Sequence, residues 1–176
     1  MNIEIERKFI VKGDGWKSLA VGKSHIVQGY FETAPGRTVR VRMRDERAYL
    51  TIKGPAGEDG LSRYEFETEV TPEDGRELLA LCRPGRIDKV RWLVPDGKHV
   101  IEVDEFLGDN EGLVMAEIEL GSKDEAFERP DFLVREVTGD RRFYNNHLMR
   151  YPYALWGRQF EQETSPNSSE GGEREG

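Results

Sequence analysis

The sequence predicts an α+β fold that is mainly β, built from eight antiparallel strands and a few flanking helices. Three observations lead there. Segments alternating between charged and apolar residues recur along the chain, the links between them are short and rich in Gly, Pro and Asp, and one stretch alone carries a strong helical start signal.

The first strand is expected over residues 2 to 11, with Glu4, Glu6 and Lys8 on one face and Ile3, Ile5, Phe9 and Val11 on the other, a pattern that Arg7 interrupts. The second covers 25 to 34 and ends at a turn of Ala34, Pro35 and Gly36. The third, 37 to 45, sets Arg40, Arg42 and Arg44 against Val39, Val41 and Met43, and Asp45 with Glu46 turns the chain into the fourth, 47 to 54, where Lys53 shares a side with Tyr49 and Thr51. The stretch GPAGEDG from Gly54 lacks the Lys and Ser or Thr of a phosphate-cradling loop and reads as a hairpin into the fifth strand, 61 to 70. That strand aligns Arg63, Glu65, Glu67 and Glu69 opposite Tyr64, Phe66, Thr68 and Val70.

A helix follows from Pro72 to Cys82, with Thr71 as its cap, Pro72 in the first helical position and Leu78, Leu79 and Leu81 as its apolar contacts. The sixth strand, 87 to 95, places Lys89 and Arg91 opposite Val90, Trp92 and Val94, and Pro95, Asp96 and Gly97 turn it into the seventh. The seventh, 98 to 107, places Glu102 and Asp104 opposite Ile101 and Val103. After the turn from Gly108 to Gly112, the eighth, 113 to 121, places Glu117 and Glu119 opposite Ile118 and Leu120. Ser122 and Glu125 fit a capping box for a short turn, and Gly139 to Met149 suit a terminal helix. Residues 157 to 176 hold five acids, two bases and one large apolar residue, Phe160, so residues 1 to 156 read as the folded domain and 157 to 176 as an acidic disordered tail.

Composition narrows the function. The chain has 176 residues and a formal net charge of −8, which disfavours general affinity for nucleic acid because such domains carry a basic face against the phosphate backbone. Its single cysteine, Cys82, excludes an intrachain disulfide, and with only three scattered histidines it excludes Cys-rich zinc sites; carboxylates remain as the plentiful ligands, so any metal should be a hard one. The start MNIEIERKFIV lacks a basic, apolar leader and no later run approaches membrane-spanning length, from which a cytoplasmic protein that does not enter membranes is expected.

The strand faces named above carry nine acids and eight bases but few threonines. An ordinary half-buried sheet would leave such faces to solvent. Alternatively, eight strands could close into a barrel with the charges inside and the apolar faces outward, under the helices. Like charges about 4 Å apart repel by roughly 4 kcal/mol at an effective dielectric of about 20, so enclosed carboxylates call for cations and enclosed bases for a polyanion.

These residues resemble the CYTH domain proteins, the triphosphate tunnel metalloenzymes. The family signature Glu-x-Glu-x-Lys stands at Glu4, Glu6 and Lys8, and it is followed in family order by Arg40 and Arg42, Lys53, Glu65 and Glu67, Lys89 and Arg91, Glu102 and Asp104, and Glu117 and Glu119. The resemblance spans about residues 1 to 155 and implies an eight-stranded antiparallel barrel forming a tunnel. The segment QGY at Gln28, Gly29 and Tyr30 is similar to the small bacterial members, which implies metal-dependent hydrolysis of inorganic triphosphate to diphosphate and phosphate. Other family activities, on nucleotide or thiamine triphosphates or in class IV adenylyl cyclases, stand as alternatives, as does a non-catalytic polyphosphate sensor. By resemblance, Glu4, Glu6, Glu117 and Glu119 would hold Mg²⁺ or Mn²⁺, while Lys8, Arg40, Arg42, Lys53, Lys89 and Arg91 would grip phosphates. Glu65, Glu67, Glu102 and Asp104 would hold a second metal or orient water and bases, and Tyr30 beside Lys8 would accept a proton. A homodimer is expected by the same analogy.

Overall fold

A computed structural model of the chain describes residues 3 to 164. Its strands are β1 (Ile3–Val11), β2 (Gly22–Tyr30), β3 (Thr38–Arg44), β4 (Arg47–Lys53), β5 (Ser62–Val70), β6 (Ile87–Asp96), β7 (His99–Phe106), β8 (Val114–Glu119) and β9 (Leu133–Glu136). They follow the order β5-β4-β3-β2-β6-β7-β8-β1-β9, and a further pairing of β5 with β1 closes the first eight into an antiparallel barrel. β1 makes the closure by dividing its length. Ile3, Glu4 and Ile5 pair with Tyr64, Arg63 and Ser62 of β5, Glu6 to Ile10 pair with β8, and Phe9 to Val11 hold β9 on the remaining edge.

Closure turns the charged face of each strand inward, since register and the period of two leave no other face for it. The outward apolar face is covered from two directions. Helix α1 (Pro72–Leu81), capped by Thr71 Oγ1 accepting from the Asp74 N–H at 3.1 Å, packs on β3 and β4. Its approach needs Gly75, because a Cβ there would lie 2.3 Å from the Ala48 side chain. On the other side, Trp16 of a 3-10 turn (Gly15–Leu19) meets Trp92 edge to face at 5.7 Å, and Phe127 and Phe132 pack over a cluster in which Phe9, Ile101, Val103, Ala116 and Ile118 are fully buried. Each such large side chain contributes roughly 1.5–3 kcal/mol when removed from water. Trp16 therefore belongs to the outer core and does not cover the lumen.

The inward face changes character at one end. Ile10 follows Lys8, Ile87 precedes Lys89, Phe106 follows Asp104 and Met115 precedes Glu117, each on the same side of its strand. These four join Phe143, Leu148, Tyr153 and Phe160 in a buried cluster, so the C-terminal segment stoppers the barrel where the charges end. That segment comprises a 3-10 turn at Arg141–Phe143, helix α2 (Asn145–Arg150), a second such turn at Tyr153–Leu155 and helix α3 (Gly157–Thr164).

Several boundaries differ from the sequence expectation. β2 runs from Gly22, ahead of the expected residue 25, because Gly22, Lys23 and Ser24 pair with β6 although they carry no apolar signal, and it ends at Tyr30. The helix expected from Gly139 to Met149 is broken at Tyr144, which adopts extended backbone and leaves α2 only six residues long. Ser122 and Glu125 form a hydrogen-bonded turn in which Glu125 accepts from the Gly121 N–H at 2.7 Å. β9 was not anticipated. Gly157 to Thr164, expected as the start of the tail, form α3, held by Phe160 against Phe143 at 5.1 Å; the rest of the expected tail, from residue 165, lies outside the described residues. No helix among the described residues is long and apolar enough to cross a membrane.

Candidate active site

The inward faces of β1, β2, β3, β4 and β8 bring Glu6, Lys8, Tyr30, Arg40, Arg42, Lys53 and Glu117 to one cavity of about 440 Å³. Residues far apart in sequence meet there because the barrel closes. Lys53 Nζ lies 3.1 Å from both Glu4 and Glu65, Lys8 Nζ lies 3.7 Å from Glu117, and Arg40 Nη2 lies 3.6 Å from Glu67. Arg40 also donates to Thr51 Oγ1 at 3.2 Å, which donates to Glu67 at 2.8 Å.

Deeper, toward the apolar stopper, Asp104 accepts from Lys89 Nζ at 2.7 Å and from Arg91 Nε and Nη2 at 2.8 and 2.9 Å. Arg91 reaches Glu102 at 2.6 Å and Glu117 at 3.8 Å. Asp104 is therefore committed to two cations, which orients the bases rather than leaving a free ligand. Burial would raise Asp104 and Glu117, but Arg91 and Lys89 outweigh it for Asp104, and Lys8 and Arg91 do so for Glu117, holding both below the ordinary range.

Glu4, Glu6, Glu102 and Glu119 behave oppositely. Burial, with Glu117 nearby, pushes Glu6 up to about 8. Burial also raises Glu4, which shares hydrogen bonds with Glu65 and Glu6, and raises Glu119, where Glu102 and Glu6 add repulsion. Glu119 stands directly across from Glu6 in the β1–β8 ladder. Among the described residues no three His, Cys, Asp or Glu side chains are already arranged to hold a metal ion. The donor chemistry nevertheless fits a hard divalent cation: buried oxygen ligands whose mutual repulsion a bound cation would relieve.

Burial also acts on some of the bases. Burial, with Arg40 and Arg91 close by, lowers Arg42 to about 9, so its guanidinium stays charged at neutral pH but makes no ion pair among the described residues. Burial lowers Lys89 to about 7 although Asp104 opposes it. Arg40 Nε is buried without a hydrogen-bond partner among the described residues. Such a lining is prepared for an anion that offers oxygens to several strands at once.

Some lining residues were not assigned from sequence. Gln28, fully buried, accepts from Arg42 Nε at 2.8 Å and donates to Tyr30 Oη at 2.8 Å, tying a base of β3 to the tyrosine of its own strand. Tyr144 sits with its ring centroid 4.9 Å from Lys8 Nζ, and Asn145 accepts from Lys89 Nζ at 3.2 Å. Arg63 and Thr38 join the wall, Arg63 donating to the Gly54 carbonyl at 2.9 Å. Arg63 shares the alternation of Glu65 and Glu67 and was legible from it; Tyr144 and Asn145 follow no periodic pattern and reach the site only through the fold of the C-terminal segment.

Comparison with known proteins agrees with this geometry. The CYTH domain family model matches residues 2 to 144. An inorganic triphosphatase of Acetivibrio thermocellus is 46% identical over 154 residues, covering 87% of this chain and 97% of that protein. Among solved structures, the inorganic triphosphatase NE1496 is 28% identical with a TM-score of 0.58, covering 83% of this chain and 93% of that one. The PH1012 protein from Pyrococcus horikoshii OT3 is 25% identical with a TM-score of 0.57, covering 69% of this chain and 80% of that one. With its charged lumen, its closed barrel and a family match over most of its length, the chain belongs to the CYTH domain family.

Proposed function

We infer that the protein hydrolyses inorganic triphosphate to diphosphate and phosphate within its barrel. The observation that carries this reading is the convergence of Lys8, Arg40, Arg42 and Lys53 from β1, β3 and β4 on one cavity, with Glu6 and Glu117 in the same wall. A linear polyanion satisfies those bases together, and each charge-assisted contact contributes roughly 1.5–3 kcal/mol. The relatives named as inorganic triphosphatases support the same substrate.

Glu4, Glu6 and Glu119 are our assignment for holding Mg²⁺ or Mn²⁺, since burial and neighbouring carboxylates raise all three and Glu119 stands across the ladder from Glu6. Glu117 adds a donor if it exchanges its contact with Lys8. When bound, a divalent ion neutralises phosphoryl charge and makes phosphorus easier to attack. Lys8, Arg40, Arg42 and Lys53 hold the chain of phosphates, and Arg91 with Lys89, fixed by Asp104, extends the grip inward. Tyr30 and Lys8 are our choice for handling the proton of the attacking water, with Gln28 fixing the Tyr30 hydroxyl. Glu65, Glu67 and Glu102 orient Lys53, Arg40 and Arg91 through their ion pairs. The single cysteine, Cys82, is free and buried, which fits the reducing cytoplasm where we place the protein.

The test is phosphate release from inorganic triphosphate, ATP and thiamine triphosphate side by side, in EDTA, Mg²⁺ or Mn²⁺. Metal-dependent release that is strongest from inorganic triphosphate, lost in Glu4→Ala and Glu119→Ala and reduced mainly through KM in Arg42→Ala, is the expected result. Faster turnover of ATP or thiamine triphosphate, formation of cyclic AMP, or tight triphosphate binding without release would each replace this reading.

A further inference from the structure

We propose that a basic cavity beside the tunnel is a subsite for one further phosphoryl anion, either the fourth group of a chain longer than triphosphate or free orthophosphate. Tyr30, Thr38 and Asn146 line both the tunnel cavity and a second cavity of about 300 Å³, so the two adjoin. Arg37 from the link before β3, Arg83 from the link after α1 and Arg150 at the end of α2 reach the wall of the second cavity. Separate elements thus bring three arginines to the wall of one space that adjoins the tunnel cavity.

The charges around this space do not cancel. Glu32 meets Arg83 Nε at 2.8 Å, and its side chain is 74% exposed. Arg83 Nη1 is nevertheless buried and lacks a hydrogen-bond partner among the described residues, whereas the neighbouring Arg86 spends its nitrogens on the carbonyls of Leu79, Arg83 and Gly85. Arg37 and Arg150 form no ion pair among the described residues. An unmade hydrogen bond on a buried guanidinium nitrogen is costly, and a phosphoryl group with several acceptor oxygens is the ligand whose geometry matches arginines brought together from different elements. A triphosphate in the tunnel would direct its end toward Tyr30 and Thr38, and a fourth phosphoryl group would pass between them. The identity of that chain substrate rests on the triphosphatase reading; the anion site itself does not.

The experiment compares wild type with Arg83→Met, Arg150→Met and the double variant on tripolyphosphate and tetrapolyphosphate. The expected result is a loss of about tenfold in kcat/KM on tetrapolyphosphate with triphosphate hydrolysis unchanged. Arg150 is exposed and makes no ion pair among the described residues, so Arg150→Met keeps the test informative if Arg83→Met fails to fold. Equal effects on both substrates, or none on either, would overturn the chain subsite. Orthophosphate inhibition of triphosphate hydrolysis, relieved in the double variant while tetrapolyphosphate kinetics stay at wild-type values, would assign the site to free orthophosphate. Should the wild type hydrolyse neither substrate, calorimetric binding of tetrapolyphosphate and of orthophosphate in EDTA decides separately: about tenfold weaker binding of either in the variants supports the subsite, and unchanged binding of both removes it.

Discussion

Asp104→Asn changes one atom in a carboxylate that is 1% exposed and receives Lys89 and Arg91 through contacts of 2.7, 2.8 and 2.9 Å. At an effective dielectric of about 20, each charge pair is worth roughly 4 kcal/mol, and the relief of the desolvated carboxylate returns several of these. Removing one partner of a buried ion pair costs about 3–5 kcal/mol, and we take about 4 kcal/mol because the Asn carbonyl keeps one contact. In a chain of this size each kcal/mol moves Tm by about 2–4 °C, so the melting temperature should fall by about 8–16 °C. Circular-dichroism melts at pH 7 in EDTA would measure it, with Lys89→Met and the double variant alongside. The double variant should lose less than the sum of the singles, since Asp104→Asn then strands one cation fewer. Burial places the folded Lys89 pKa near 7, below the unfolded value of about 10.4, so above pH 7 the folded lysine is neutral and has less need of Asp104. The defect should therefore narrow from pH 6 to 8 without vanishing, because Arg91 stays charged. A fall of less than about 3 °C, or strict additivity in the double variant, would refute the charge-network account.

Glu6 titrates near 8 in the folded protein, above its unfolded value, so the native state holds a proton between about pH 4.5 and 8 that the unfolded chain has released; stability of the metal-free protein should decline as pH rises through that window, and Glu6→Gln should flatten Tm against pH in EDTA. Gln28→Leu removes both the acceptor of Arg42 and the donor to Tyr30 inside the core, and should cost about 2 kcal/mol in urea unfolding while lowering turnover more than it raises KM. Phe160→Ala should lower stability by about 3 kcal/mol by opening a void beside Phe143 and Trp156, measured by the same unfolding curves.

The strand pattern was legible because alternation is a local property. From TVRVRMR one can place Arg40 and Arg42 on one face and Val41 and Met43 on the other without knowing any neighbour, and the same holds for Glu117 and Glu119. The helix at Pro72 was equally local, resting on Thr71 and on proline at its start. β9 escaped because Leu133 to Glu136 become a strand only by lying on the free edge of β1, and α3 escaped because Phe160 is one apolar residue in a polar stretch until Phe143 and Trp156 stand beside it.

Residue order alone therefore determined which side chains share a strand face, since the two-residue period of extended backbone operates within each segment. The CYTH domain assignment followed from the same short motifs. Tertiary closure decided the rest: that β5 meets β1 and turns those faces into a lumen, that Asp104 serves Lys89 and Arg91, and that Tyr144 and Asn145 come to Lys8 and Lys89. Those meetings join positions as much as 136 residues apart, as with Lys8 and Tyr144. They depend on how the strands pair and on an apolar stopper at one end of the barrel, and no local periodicity encodes either.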